Sequence, residues 1–277
     1  MIAFVGAGKV ATALGAYFKS KGLEIQGYYS RNHQHAVRAA EITGTRAYTD
    51  LVELINQSHM IWITTSDDSI EDVAKQIAGF STQITGKKLF LHTSGVNSTD
   101  ILQSIKATGH SVCCAHPLLA FSGDVSSVEK LAETWFTLEY DENERIEIND
   151  FFSMTGNPVL TIDGKQKGLY HAACCMMSNY LVTLLDSSYS LFEKIGIEKE
   201  TIKKATLPLL ESVIENCINL ESKDALTGPI KRGDKNTVSL HLQQLQNEMP
   251  EAVEIYKALG IKTMIMLNDF RLKEIIN

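Results

Sequence analysis

The 277-residue chain predicts an α/β protein in two parts: a doubly wound, mostly parallel sheet over residues 1–160, then an all-helical domain over residues 161–277. Three observations predict it. Short apolar runs alternate with helical patterns and short connections through the first half, as parallel sheets covered on both faces require. The opening segment, Met1 to Ala11, joins an apolar run to a Gly-x-Gly-x-x-Ala turn that starts a helix. Past Asp163 nothing alternates with period two, and only helix-spaced apolar patterns remain.

The elements follow in order. The first apolar run is a strand, Lys9 to Ser20 a helix, and Leu23 to Tyr29 a second strand. His33 to Thr43 reads as a helix and Arg46 to Thr49 as a short strand. Asp50 is a good N-cap for a helix from Leu51 to Gln57. Met60 to Thr64 is a buried strand running into Thr65-Ser66-Asp67-Asp68, with a helix from Ile70 to Gly79. Lys88 to His92 is a strand ending in Thr93-Ser94-Gly95, followed by a helix from Ser98 to Thr108 and a strand from Ser111 to His116. Thr134 to Glu139 and Val159 to Ile162 complete the sheet. Lys165 to Lys194 then reads as one long helix, followed by helices at Glu198 to Leu220, Val238 to Leu245 and Glu251 to Asn277. Leu226 to Asp234, with Gly-Pro and Arg-Gly-Asp, is an ordered turn between helices. In such sheets ligands bind beyond the strand C-terminal ends, where the segments 64–68, 92–95 and 116–118 are all polar.

Composition excludes several classes of function. A net charge of −7 without a Lys/Arg-rich face argues against nucleic-acid binding. Cys113, Cys114, Cys174, Cys175 and Cys217 are odd in number, adjacent where paired, and lack zinc-site spacing. They read as reduced thiols of a cytoplasmic protein, and no signal peptide is expected. The uncharged stretch Gly168 to Leu185 contains His171, Ser178, Asn179 and Thr183 between Lys167 and Asp186, which fits a buried soluble helix better than a membrane span. That helix is apolar nearly all round, so it needs cover on every side, and a homodimer packing these helices together is the economical expectation.

The opening turn carries the clearest chemistry. Gly6 permits a tight turn that a Cβ would obstruct, and Gly8 lets backbone N–H groups approach a pyrophosphate at the N-terminus of the helix beginning near Lys9. Gly6-Ala7-Gly8-Lys9-Val10-Ala11 is thus the dinucleotide fingerprint of a Rossmann fold. An acid about 20 residues further on normally binds the ribose 2′-hydroxyl. Here the second strand ends in Ser30 and Arg31, which suit a 2′-phosphate and favour NADP over NAD. Thr65, Ser66, His92 and Ser94, at neighbouring strand ends, are expected along the same cofactor.

Hydride transfer also needs a group to handle the proton. His116, just past a strand, is one candidate, and His171 is another, four residues after Lys167 on one helix face. Asn179, two turns past His171, is expected on the same side, whereas Ser178 reads as structural. In the Leu226–Asp234 turn, Arg232 with Thr227 could anchor a substrate carboxylate, or Arg232 could simply brace the turn against Asp234.

Taken together, Val5 to Ala11, Tyr29-Ser-Arg31, His92-Thr-Ser-Gly95, His116-Pro-Leu118, Tyr170 to Ala173 with Ser178-Asn-Tyr180, and Leu226 to Asp234 resemble a group of bacterial Rossmann-like NADP oxidoreductases. The helical C-terminal domain of that group has no assigned function. More distantly the layout is similar to pyrroline-5-carboxylate reductase and to the 6-phosphogluconate and β-hydroxyacid dehydrogenases, which implies a helical domain that dimerises and completes the active site. The last of these carry a catalytic Lys-x-x-x-Asn on the first long helix; here Lys167 is followed by His171. His116-Pro117 followed by Ala120 is similar to the His-Pro-x-x-Gly of prephenate dehydrogenases, with Ala for Gly. The reading is an NADP-dependent oxidoreductase acting on a small carboxylate-bearing keto, imino or hydroxy substrate. An NADP(H) sensor without chemistry and a flavin- or deazaflavin-dependent reductase are the alternatives.

Overall fold

A computed structural model describes residues 1–121 and 126–276. An eight-stranded sheet runs in the order β3-β2-β1-β4-β5-β6-β7-β8. The strands are β1 (Ile2–Val5), β2 (Ile25–Tyr29), β3 (Arg46–Tyr48), β4 (Met60–Ile63), β5 (Leu89–His92), β6 (Ser111–Pro117), β7 (Phe136–Tyr140) and β8 (Val159–Thr161). All neighbours are parallel except β6 and β7. The order reverses between β1 and β4, so the crevice at their C-terminal ends is the topological switch point.

Strand alternation sorts the core into two layers. Phe4, Tyr28, Trp62 and Leu91 face one layer, where they pack with Leu14 and Phe18 of α1 (Lys9–Ser20) and Phe151 of α7 (Arg145–Thr155). Ala3, Val5, Ile61, Ile63 and Phe90 face the other. There they meet Leu54 of α3 (Leu51–Asn56) and Ile77 of α4 (Asp67–Gly79). Both faces being covered, the central strands read as continuous apolar runs. Asn32 and Asp50 cap α2 (His33–Thr43) and α3 with their side chains.

Several expectations are refined. The helix expected from Ser98 is a 3-10 turn, Thr99–Leu102, followed by α5 (Gln103–Lys106). Two helices between late strands had no strong apolar stripe to announce them: α6 (Ser126–Leu131) and α7. The single helix expected from Lys165 to Lys194 is two, α8 (Lys167–Met177) and α9 (Asn179–Lys194), separated at Ser178 by a backbone of φ −115° and ψ −72°. Apolar spacing did not reveal that break, because it continues across Ser178.

The chain forms two compact units, Met1–Ser178 and Asn179–Asn277. The sequence change near 160 coincides with the end of the sheet at β8, whereas α8 stays with the sheet unit because Lys167 is buried in it. The second unit comprises α9, α10 (Lys199–Asn219), α11 (Ser222–Ala225), α12 (Pro229–Arg232), α13 (Lys235–Glu248), α14 (Glu251–Leu267) and α15 (Lys273–Ile276). The helix expected from Glu251 to the C-terminus ends at Asn268, whose left-handed backbone (φ 53°) stops α14; Asn277 lies outside the described residues. Small clusters hold this unit, one of Val238, Met264, Leu272 and Ile276, the other of Leu245, Ala252 and Val253. Among the described residues, no helix is long and apolar enough to cross a membrane.

Candidate functional site

The glycine turn sits at the switch point. Gly6 takes φ +99°, and a Cβ there would lie 2.8 Å from the Thr64 carbonyl carbon and 2.9 Å from the Thr65 nitrogen, so the fold itself demands glycine. Its N–H donates to the Tyr29 carbonyl at 2.8 Å, and the Thr64 N–H donates to the Val5 carbonyl at 2.8 Å. Gly8 differs. It is exposed, its φ of −83° suits any residue, and a Cβ there would meet nothing within 4 Å. No described residue requires a glycine at that position.

Gly8 is the N-cap of α1, with no side-chain cap and no acid in the first turn. The first N–H groups of the helix, from Lys9 and Val10 onward, therefore point their dipoles outward unanswered, the arrangement that accepts an anion. Ala7 is half-buried beside them, and Ala11 is buried where helix meets strand. Thr65 Oγ1 is buried without a hydrogen-bond partner, and Ser66 begins α4 with its hydroxyl on Ser69. Ser30 is half-buried at the end of β2, and Arg31 is exposed and makes no ion pair with any described residue. An open cradle, an uncapped helix end, an orphaned hydroxyl and a free guanidinium fit a phosphorylated dinucleotide.

A second cluster gathers at the ends of β5 and β6. Lys167, Tyr170 and His171 stand at i, i+3 and i+4 on α8, one face of the helix. Lys167 is only 1% exposed; its Nζ donates to the Ser94 carbonyl at 2.9 Å and to Cys114 Sγ at 2.7 Å. The Tyr170 hydroxyl lies 2.7 Å from His116 Nδ1. The His116 and His171 rings are perpendicular at 6.2 Å between centroids. Both converge on Gly95, where a Cβ would come within 2.5 Å of His171 Cδ2 and 2.9 Å of His116 Nε2.

Burial dominates the electrostatics. It pushes His116 down to about 4, with the Lys167 charge and then His171 acting in the same direction. His92 falls to about 3, again through burial first and Lys167 second. Burial raises the Cys114 thiol to about 11 against the opposing pull of Lys167, and lifts the Tyr170 phenol well above its ordinary value. The imidazoles are neutral and the thiol and phenol protonated at neutral pH.

The structure brings together His116 and His171, and adds Lys167, Tyr170 and Gly95, which sequence reasoning did not assign to the site. The i, i+3, i+4 spacing on an apolar helix was the signal available. Other expected residues stand elsewhere. His92 is fully buried with Nδ1 accepting the Ser94 N–H at 3.2 Å, and Ser94 Oγ accepts from Asn97. Both side chains brace the 92–97 turn and are buried, and His92 Nε2, like Thr65 Oγ1, has no hydrogen-bond partner. Asn179 begins α9 beyond the break at Ser178, so the continuous helix face expected to align it with His171 does not exist. In the helical unit Thr227 is exposed, and Arg232 grips Asp234 through Nε and Nη2, both at 2.8 Å, the bracing arrangement. Arg271 closes the same turn by donating to the carbonyls of Arg232 and Lys231.

The strand order, the switch-point turn and the helical continuation define a Rossmann-like protein with an added helical region. Residues 1–117 match the Rossmann-like domain family, and residues 134–263 match a domain of unknown function, DUF2520; the chain carries both. No curated protein matches by sequence. Among solved structures, the putative NADP oxidoreductase from Bacteroides fragilis superposes with a TM-score of 0.77 at 23% identity over 95% of this chain and 96% of that one. The pyrroline carboxylate reductase of Plasmodium falciparum, solved with NADP bound, gives 0.62 at 16% identity over 96% and 97%. The imine reductase of Myxococcus stipitatus in complex with NADP+ gives 0.60 at 14% identity over 98% of both. At these identities the likeness carries the fold.

Proposed function

We propose that the chain is an NADP(H)-dependent oxidoreductase that passes a hydride between the nicotinamide and a small carboxylate-bearing keto, imino or hydroxy substrate. The observation that carries this reading is Gly8: a glycine the fold does not need, at the uncapped start of α1, over the switch point. The N–H groups of Gly8, Lys9 and Val10 would take the pyrophosphate, Ser30 and Arg31 the 2′-phosphate, and Thr65 and Ser66 would flank the cofactor. Bound NADPH supplies the hydride. His116 Nε2 would hydrogen-bond the oxygen or nitrogen being reduced, and His171, beside it, would carry the proton. The structural relatives that hold NADP support the cofactor assignment. For Arg232 to hold the substrate carboxylate, as the sequence suggests, the carboxylate would have to displace Asp234.

The working form is a homodimer through the helical unit, and a cytoplasmic setting suits its five free thiols. No residue of α9 is buried, and α10 buries only Ile202, while Val182, Leu209 and Ile218 are 68%, 62% and 77% exposed. Two helices with that much bare apolar surface are the mark of an obligate interface.

The test follows NADPH absorbance against a panel of keto acids and cyclic imines. Turnover with one of them, lost in His171→Ala, is the expected result. Binding without oxidation across the panel would leave a nucleotide sensor, and a copurifying flavin with no NADPH affinity would reverse the cofactor assignment.

A further inference from the structure

We propose that Lys167 and Tyr170 are positioning residues that hold His116 as a neutral imidazole protonated on Nε2, a fixed hydrogen-bond donor and not a proton source. Three features of the geometry carry this. Tyr170 faces Nδ1 at 2.7 Å with its ring perpendicular to the imidazole, and burial keeps the phenol protonated, so it has a hydrogen to give to Nδ1. A neutral imidazole that accepts at Nδ1 carries its proton on Nε2. Nε2 lies over Gly95, where no side chain is present to take up its hydrogen.

Burial first, and then the Lys167 charge, keep the ring from protonating. Its stem is sealed in the sheet unit and its ammonium is spent on the Ser94 carbonyl and Cys114, so it does not reach solvent or substrate. Every titratable group around His116 fits this state. On α8 there are Lys167, Tyr170, His171 and Cys174, whose thiol lies beside the Tyr170 hydroxyl; β5 brings His92 and β6 brings Cys114, both buried and uncharged; Glu139 on β7 is engaged by the backbone and hydroxyl of Thr99. No carboxylate pairs with the His116 ring among the described residues, and the Glu139 carboxylate, which feels the Lys167 charge, is held by Thr99. The lysine at the head of this helix therefore works through His116, one turn removed from chemistry, and the travelling proton falls to His171.

The protonation state of His116 does not depend on the oxidoreductase reading, although its use in turnover does. The test is accordingly made on the full-length protein without cofactor or substrate. Histidine labelled with 15N reports tautomer and charge through long-range proton–nitrogen correlations, and the His116 signal is identified by its loss in His116→Gln. The expected wild-type pattern is a neutral Nε2–H ring that stays uncharged down to pH 5. Lys167→Met should raise the midpoint by about one unit or more, as removal of a buried neighbouring cation does. Lys167→Arg, which keeps the charge, should restore it, and Tyr170→Phe should populate the Nδ1–H form. A wild-type His116 that titrates near the ordinary value of about 6.5 overturns the proposal. So does an Nδ1–H ring, or an unmoved midpoint in a natively folded Lys167→Met. Should that variant fail to fold, the wild-type pattern and Tyr170→Phe decide the matter. NADPH binding measured separately tells a failure here from a failure of the cofactor assignment.

Discussion

Replacing Gly8 with alanine separates a glycine kept for a ligand from one kept for the fold. In the structure the new methyl group points into open space, with no heavy atom within 4 Å, and the backbone at φ −83° and ψ −167° is comfortable for alanine. Two small effects on stability oppose each other. Alanine is a poorer N-cap than glycine by a few tenths to about 1 kcal/mol, while the restricted unfolded chain returns about 0.4–1 kcal/mol. The variant should therefore melt within a few degrees of the wild type. Binding should respond differently. The methyl group stands where the pyrophosphate must approach the helix N–H groups, and losing one hydrogen bond to a charged group costs about 1.5–3 kcal/mol. Affinity for NADPH should fall by about tenfold to a hundredfold. Calorimetric titration beside a thermal melt reads both quantities on one sample. A native melt with unchanged affinity would refute the reasoning, because Gly8 would then have no ligand to explain it. Gly6→Ala is the control, since its Cβ strikes the Thr64 and Thr65 backbone at positive φ. There the left-handed strain and overpacking together cost about 2–5 kcal/mol.

Other expectations can be checked on the same material. Arg31→Ala should lower the preference for NADPH over NADH by about tenfold to a hundredfold, the worth of a charge-assisted pair, with NADH affinity unchanged; equal losses for both cofactors would show that Arg31 does not read the 2′-phosphate. Gly95→Ala forces a methyl group between two imidazoles at 2.5 and 2.9 Å, so it should cost about 1–3 kcal/mol by chemical denaturation and abolish turnover; a variant of wild-type stability and rate would remove the convergence of His116 and His171. Acid should destabilise the protein earlier than its carboxylates require. Because His116 and His92 bind protons less readily folded, at about 4 and about 3, than unfolded, their contribution is complete above about pH 6.5 and is lost as pH falls towards 4. For His116 the loss is roughly 3 kcal/mol over that window, and urea midpoints flat between pH 7 and pH 5 would contradict it. Sedimentation should give a dimer, and Ile218→Glu a monomer; a wild-type monomer at micromolar concentration would leave α9 and α10 unexplained.

Legibility in the sequence followed the range of the interactions. The glycine turn, the strand runs and the Asp50 cap depend on neighbours a few residues away, and short apolar strands announce a sheet buried on both faces. The antiparallel turn of β7 and the break at Ser178 depend on packing that no local pattern records. The site divided in the same way. His116 stood out by its place past a strand end and His171 as a polar residue on an apolar helix, yet their meeting over Gly95 joins three segments far apart in sequence. Lys167 was visible only as a spacing partner of His171, because its partners, the Ser94 carbonyl in the turn after β5 and Cys114 on β6, are far away in sequence. For His92 and Ser94 a strand-end position suggested a ligand, whereas the hydrogen bonds show a braced turn. Arg232 and Asp234, two residues apart, satisfy each other as nearby opposite charges commonly do.

The account turns on cofactor binding by the first βα turn. Isothermal titration of the full-length protein with NADPH and with NADH tests it most directly. The expected result is saturable binding of NADPH, weaker by tenfold or more for NADH, as a single charge-assisted 2′-phosphate contact implies. No heat with NADPH, or tighter binding of NADH, would contradict it.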